Sequence, residues 1–330
     1  MMRPGSSAAR AQAALLRNRP SRKPQLWEDF GLSARRRVQF ELRRRWSAGW
    51  MDRPVTIQLS RTGFAAPDAP IQICIRPRDM SQQSMFLYGV FEISETRLVQ
   101  ALLRPGMVFF DVGANIGYYS LIGSHLVGPT GAVHAFEPNA AVRERLDENI
   151  RLNGLTNVQV HVEAVSDRRG EVTFYESSMD DNQGVSSLLP ADFRSSGTTV
   201  PATTLDDLSA QLGGRAIDLI KMDVEGAEPM AIEGGRNLFS GPAAPHLIFE
   251  AREVAPLEQQ LGAFGYQIRR IQYTLQTGLE LPRPDSPVRS IFEDYEAPNY
   301  LAAKDPAVFE AAVQRANERR PRLLRLLGRI

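Results

Sequence analysis

The sequence predicts an α/β fold with a Rossmann-like, mostly parallel sheet, and three observations carry that reading. Met107 to Phe110 is an apolar run of strand length, followed by Asp111, the glycines Gly113 and Gly117, and a helical pattern through Tyr118, Leu121, Ile122 and Leu126. Ala132 to Phe136 repeats the apolar run and ends on a carboxylate, Glu137. Beyond it, strand-like and helix-like stretches alternate and close on two final strand-like segments, Tyr266 to Ile271 and Asn299 to Ala303. Strand, glycine turn and helix make half of a βαβ unit, which places a ligand at the C-terminal ends of the strands.

Composition sets the limits. A chain of 330 residues, 43% hydrophobic and 23% charged, can hold one large domain with extensions. No apolar stretch reaches the ~18 residues of a membrane-spanning helix. Cys74 is the only cysteine, so an internal disulfide is impossible and a cytoplasmic location is expected. It stands in the alternating run Ile71, Ile73, Ile75, where a buried structural thiol is the expected role. The net charge of +1 hides an asymmetry: residues 1–53 hold 13 of the 39 basic residues and only 4 of the 38 acidic ones.

Taken in order, residues 1–24 read as a disordered basic tail with a superficial likeness to a transit peptide. Residues 25–88 read as a helical arm and a β-hairpin. In the arm, Trp27, Phe30, Trp46 and Trp50 interrupt the triplets Arg35 to Arg37 and Arg43 to Arg45. Such a basic helix either packs its aromatic side on the core or contacts an anionic substrate, a nucleic acid or a membrane surface. The hairpin is marked by alternation from Val55 to Leu59 and from Ile71 to Ile75. The main domain is expected over residues 89–305. Glu92 precedes a helix from about Ser94 to Leu103, which it would cap.

After the first two strands, Asn139 is placed to cap a helix running to about Leu152. Val158, Val160 and Val162 mark a third strand, closed by Ala164 to Asp167. His134 and His246 are expected to begin strands, away from the ligand end. Glu171 to Glu176 reads as an extra strand, and the polar loop Ser177 to Ser187 as a lid or substrate wall. Ile217 to Asp223 and His246 to Glu250 give the fourth and fifth strands. Residues 306–330 read as a basic C-terminal helix.

The loop chemistry points to a nucleoside ligand. A dinucleotide fingerprint has a central glycine that lets pyrophosphate touch the backbone. Here Asn115 stands between Gly113 and Gly117, which suits a ligand without pyrophosphate, such as S-adenosylmethionine. Glu137 is placed to accept both ribose hydroxyls. The second acidic centre is Asp223, Glu225 and Glu228, turned by Gly226 at the end of the fourth strand. These acids are candidates for the catalytic base, or for Mg²⁺ ligands, with the metal-free version preferred. Glu225 and Glu228 would also serve as helix-dipole partners. Glu250 is a further cleft candidate.

The series D-V-G-A-N-I-G-Y-Y-S (Asp111 to Ser120), H-A-F-E-P-N (His134 to Asn139), A-V-S-D (Ala164 to Asp167), T-T-L-D-D-L (Thr203 to Leu208) and I-K-M-D-V-E-G-A-E (Ile220 to Glu228) resembles the FkbM-type methyltransferases. The resemblance covers about Gly89 to Lys304. It implies a seven-stranded class I methyltransferase sheet, S-adenosylmethionine as cofactor, and O-methylation of a sugar, glycan or natural-product hydroxyl. It also implies donor contacts from Asp111, Gly113, Asn115, Gly117, Glu137, Ser166 and Asp167, and, through the G-V-F-E stretch Gly89 to Glu92, a Glu92 that faces the active cleft instead of capping its helix. Two other readings stay open: an NAD-linked oxidoreductase, opposed by Asn115, and a non-catalytic scaffold binding an anionic polymer through the basic arm. The acceptor and the oligomeric state are not legible.

Overall fold

The computed structural model describes residues 53–59, 70–178, 184, 186–192, 194, 197–274, 278–286 and 297–318. The basic arm, most of the polar loop and the last twelve residues lie outside them. An N-terminal hairpin, β1 (Val55–Gln58) and β2 (Gln72–Ile75), pairs antiparallel as the alternation predicts. Helix α1 (Met80–Tyr88) was not anticipated; its hydrophobic residues are not set on one face. Asp79 caps it by accepting from Ser81 and Gln82 N–H. Helix α2 (Ile93–Leu102) follows.

The nucleotide-fold body then alternates strictly. Its first half contains β3 (Val108–Val112), α3 (Tyr118–Val127), β4 (Ala132–Phe136), α4 (Ala140–Leu152) and β5 (Val158–His161). A side sheet follows: β6 (Ala164–Val165), β7 (Gly170–Phe174) and β8 (Thr198–Thr203). The second half contains α5 (Leu205–Gln211), β9 (Leu219–Met222), α6 (Glu228–Glu233), α7 (Arg236–Ser240), β10 (His246–Glu250) and α8 (Ala255–Gly262). It ends with β11 (Gln267–Arg270), the ribbon β12 (Gln272–Thr274) and β13 (Gly278–Glu280), then β14 (Asn299–Ala303) and α9 (Ala307–Glu318).

The main sheet has seven strands in the order β11-β14-β10-β9-β3-β4-β5. Only β14 runs antiparallel to its neighbours, β10 and β11. This is the seven-stranded class I methyltransferase arrangement that the motif series implies. The chain leaves β3 on one side to build β4 and β5 and on the other to build β9 and β10, so a topological switch falls between β3 and β9.

Side chains alternate across this sheet, and the alternation sorts them into two cores. Val108, Phe110 and Val112 of β3 join Ile220, Met222, Leu247 and Phe249 under α5 to α8. Phe109 faces the opposite layer with Leu219, Ile248 and the residues of α2, α3, α4 and α9. Gly123 of α3 is what allows that layer to close. A Cβ there would lie 2.4 Å from the Phe109 ring.

Three sequence expectations change. β3 runs through Asp111 rather than stopping before it, because Asp111 keeps its register against Ala135 and Lys221. His134 sits in the middle of β4, not at its start, since β4 begins at Ala132 opposite Val108. Ala164 and Val165 do not extend β5; they pair with Ala202 and Thr203 in the side sheet. Helix α9 buries Phe309, Ala312 and Ala316 and carries Glu310, Arg315 and Glu318. Its described part is amphipathic, and the Arg-rich stretch lies beyond it. No helix among the described residues is long and apolar enough to cross a membrane.

Two amides hold the hairpin to the body: Asn153, just after α4, exchanges hydrogen bonds with the Gln72 backbone, and Asn149 is buried deeper. Asn149 of α4 accepts from Cys74 N–H at 2.7 Å and donates to the Ile116 carbonyl at 2.9 Å, so one side chain ties β2 to the glycine turn. Cys74 itself is half-buried. Asn149→Ala leaves both backbone groups unpaired and should lower stability by about 2–4 kcal/mol, read as a shifted midpoint in urea unfolding.

Candidate active site

The turn after β3 is shaped by two backbone requirements. Gly113 has φ +82°, and a Cβ on it would lie 2.0 Å from the Asp223 carbonyl oxygen at the end of β9. Only glycine permits both the conformation and the approach. The Gly113 and Ala114 N–H groups donate to the Phe136 carbonyl, which fastens the turn to β4. Gly117, at φ +93°, opens α3 against Leu146.

Glu137 is buried at the end of β4. One carboxylate oxygen accepts from Asn115 N–H and the other from Asn139 N–H, both at 2.9 Å. A carboxylate can accept about four hydrogen bonds, so two acceptor positions remain for a ligand. Burial pushes its pKa up to about 7, against the pull of those N–H groups and Arg143. Asp111 lies deeper, accepting from Ser120 Oγ at 2.6 Å, with its pKa raised to about 6 by burial. Its position is beneath the turn, in contact with α3.

Across the switch, period-two alternation brings acids and one cation onto the face covered by α3. Asp111 is in register with Lys221, and Lys221 with Ile248. Asp223 and Glu250 follow two residues after Lys221 and Ile248. Lys221 Nζ donates to Asp223 Oδ2 at 2.9 Å and lies 4.7 Å from the centre of the Tyr119 ring. The Tyr119 hydroxyl donates to Glu92 at 2.7 Å. Carboxylate oxygens of Glu92, Asp223 and Glu250 all fall within 4.8 Å of one another.

Glu92 therefore reaches the cleft and makes no side-chain cap on α2. Glu250 is pushed up to about 10 by burial and by Asp223, Glu225 and Glu92, with Lys221 opposing. Glu225 rises to about 7 through burial and Asp223, while Arg194 and Arg252 pull it down. Glu228 turns inward: it accepts from Val224 N–H at 3.1 Å, and burial raises it to about 7. It thus braces the Val224 to Gly226 turn. The three acids of the sequence motif are not the three that cluster; Glu92 and Glu250 take the places beside Asp223.

Backbone strain is concentrated here. Among the described residues, non-glycine positive φ values occur at Glu92 (39°), Asn115 (49°) and Glu225 (53°), and all three border this cleft. The polar segment also reaches it. Ser187 Oγ donates to the Val224 carbonyl, Arg194 donates to the Glu225 carbonyl at 3.5 Å, and Leu189 lies over Gly226.

Ser166 is fully buried, donates from its backbone to Thr203 and from its hydroxyl to Asp167, and packs its carbonyl against Gly234. Two of the four histidines form a pair. His134 Nδ1 and His161 Nε2 are 2.9 Å apart, and His161 stacks on Phe136 with ring centres separated by 4.4 Å. Burial lowers both, His134 to about 4.

The profile of the methyltransferase FkbM domain matches residues 111–277, half of the chain, from the buried Asp111 to the β12–β13 ribbon. The chain belongs to the FkbM methyltransferase family. It is similar to the 2-O-methyltransferase NoeI of Sinorhizobium fredii, 30% identical over 153 residues that make up 42% of this chain and 62% of that protein. It is also similar to the 31-O-demethyl-FK506 methyltransferase FkbM of Streptomyces tacrolimicus, 32% identical over 159 residues, 40% of this chain and 60% of that one. The chain thus spans less than two thirds of each relative. Among solved structures, an FkbM methyltransferase from Methylobacillus flagellatus aligns with TM-score 0.41 and 17% identity, over 68% of this chain and 53% of that chain.

The Gly113 contact gives a direct test of the switch geometry. Gly113→Ala would force a Cβ into the Asp223 carbonyl at a left-handed φ, and should cost more than about 2 kcal/mol in thermal unfolding. Gly154→Ala, also at positive φ but with open space around its Cβ, should cost only about 1 kcal/mol.

Proposed function

We propose that the protein is an S-adenosylmethionine-dependent O-methyltransferase acting on a hydroxyl of a sugar, glycan or natural product. The observation that carries this reading is Glu137, a buried carboxylate at the end of β4 with two acceptor positions left open beside the Gly113 to Gly117 turn. The NoeI and FkbM relatives, whose names both specify oxygen methylation, support the choice of a hydroxyl acceptor.

In this reading Glu137 takes the ribose hydroxyls, Gly113 and Asn115 form the floor of the donor site, and Gly117 sets the start of α3. Asp111 stays beneath the turn and holds Ser120. Ser166 and Asp167 border the adenine end. S-adenosylmethionine, when bound, supplies an electrophilic methyl group on a cationic sulfur. Asp223 faces that cationic end across the switch. Glu225 receives the acceptor's proton: its pKa of about 7 matches the working pH of a general base, and it stands on a strained turn at the cleft rim. Glu228 positions that turn. Ser187, Leu189 and Arg194 form the acceptor wall.

Donor binding tests the first half. Calorimetry should register S-adenosylhomocysteine and no NAD, and Glu137→Ala should weaken S-adenosylhomocysteine about 30- to 1000-fold, or roughly 2–4 kcal/mol. The sign of the pH dependence follows from the raised Glu137 pKa of about 7. Hydroxyls donate to the ionised form, so affinity should rise from pH 6 to 8 and level off above, and Glu137→Gln should flatten that slope. A folded Glu137→Ala with unchanged affinity would remove Glu137 from the site.

Turnover tests the second half. With radiolabelled S-adenosylmethionine and a panel of sugar and natural-product alcohols, Glu225→Gln should lower the rate by about 10²–10⁴. It should also erase an acidic limb near pH 7. A rate and pH profile like those of the unaltered protein would transfer the base role to Asp223 or Glu250.

A further inference from the structure

The cleft holds an arrangement that the motif reading did not use. Glu92, Asp223 and Glu250 bring carboxylate oxygens within 4.8 Å of one another, and Asp111 lies in register beside them on β3. Three oxygen ligands at that spacing are what a hard divalent cation takes. The cation already provided is Lys221. It is 2% exposed, its Nζ is 2.9 Å from Asp223, and the Tyr119 ring covers it at 4.7 Å.

We propose that Lys221 is a positioning residue for methyl transfer, its buried ammonium standing in place of a divalent cation and holding the Glu92, Asp223 and Glu250 carboxylates in one fixed group. The role in transfer rests on the methyltransferase reading above; the charge geometry does not. Burial works to lower the Lys221 pKa, but Asp223, Glu92 and Asp111 outweigh it and raise it instead, so the ammonium keeps its charge at any physiological pH. Tyr119 links the two halves of the group, its ring face on the ammonium and its hydroxyl on Glu92. α2, α3, β3, β9 and β10 each contribute one side of it, so the group sits at a fixed place in the fold rather than on a free loop.

The prediction is reciprocal. A protein that already fills its carboxylate cage should ignore divalent cations, and one that loses the ammonium should acquire a taste for them. Full-length protein is melted with and without millimolar Mn²⁺, and separately with EDTA. Wild-type Tm should move with neither. Lys221→Met should melt lower, and Mn²⁺ should raise its Tm by about 4–5 °C when the ion is near a hundredfold above its Kd. Adding Glu250→Gln to Lys221→Met should remove the Mn²⁺ response. Lys221→Arg, which keeps the charge, should behave like wild type towards Mn²⁺. A lysine that merely filled space would give a lower Tm with no gain of ion dependence.

Two results overturn the proposal: a wild-type Tm that Mn²⁺ raises and Glu250→Gln makes insensitive, or a folded Lys221→Met indifferent to Mn²⁺. If Lys221→Met does not fold, Lys221→Gln takes its place, and the wild-type measurement stands without any variant. S-adenosylhomocysteine binding, measured separately, decides the methyltransferase reading, so failure of one leaves the other intact.

Discussion

The cleft depends on how closely two stretches of backbone meet where the sheet changes direction. β3 and β9 are neighbours in the sheet but far apart in the chain, and the turn after β3 comes within contact of the Asp223 carbonyl. That distance leaves room for a hydrogen atom and nothing larger at position 113. Once it is set, the rest follows: the turn is pinned to the Phe136 carbonyl, Asn115 presents its N–H to Glu137, and the side chains that continue β9 and β10 point into the space the turn has left.

Parallel strands buried on both faces should carry apolar residues throughout, and the departures on the α3 face of this sheet mark the cleft. Asp111, Lys221, Asp223 just past β9 and Glu250 at the end of β10 stand on one face, under α3. Burial pushes Asp111, Glu137, Glu225 and Glu250 towards their neutral forms; Lys221 pulls back on Asp111 and Glu250, Arg143 and two backbone N–H groups on Glu137, and Arg194 and Arg252 on Glu225. The helix-facing layer is thus apolar towards the hairpin and polar towards the strand ends. Strained backbone at Glu92, Asn115 and Glu225 lies along the same boundary.

The sheet was legible because its signals are local. An apolar run, a glycine turn and a helical period identify a βαβ half-unit without any knowledge of what it packs on. Glu137 was legible for the same reason, ending the second run. The acid cluster was legible only in pieces: Glu92 and Glu250 were each cleft candidates, but not partners of Asp223. Glu92 and Glu250 lie 158 positions apart in the sequence; the pairing of β10 with β9 brings Glu250 to Asp223, and Glu92, ahead of α2, is tied to the cleft by the Tyr119 hydroxyl. Lys221 stood in plain view inside a quoted motif. A lysine in a strand expected to be buried on both sides is itself a signal, because such a charge survives only with a partner. The A-V-S-D turn misled through its neighbours. Its strand-like pair continues the apolar character of β5, but its hydrogen bonds go to β8, some forty residues later.

The place of β14 in the sheet says something about how this domain can be divided. The stretch matched by the family profile ends at residue 277, yet β14 lies beyond it and sits between β10 and β11. A piece cut at the edge of that match would leave β10 with an open flank and β11 joined to nothing. Leu301, Ala302 and Ala303, all fully buried, belong to both cores. The smallest unit that can be moved between proteins as a working sheet therefore runs at least to Ala303, and a boundary drawn from sequence similarity alone would split it through its middle.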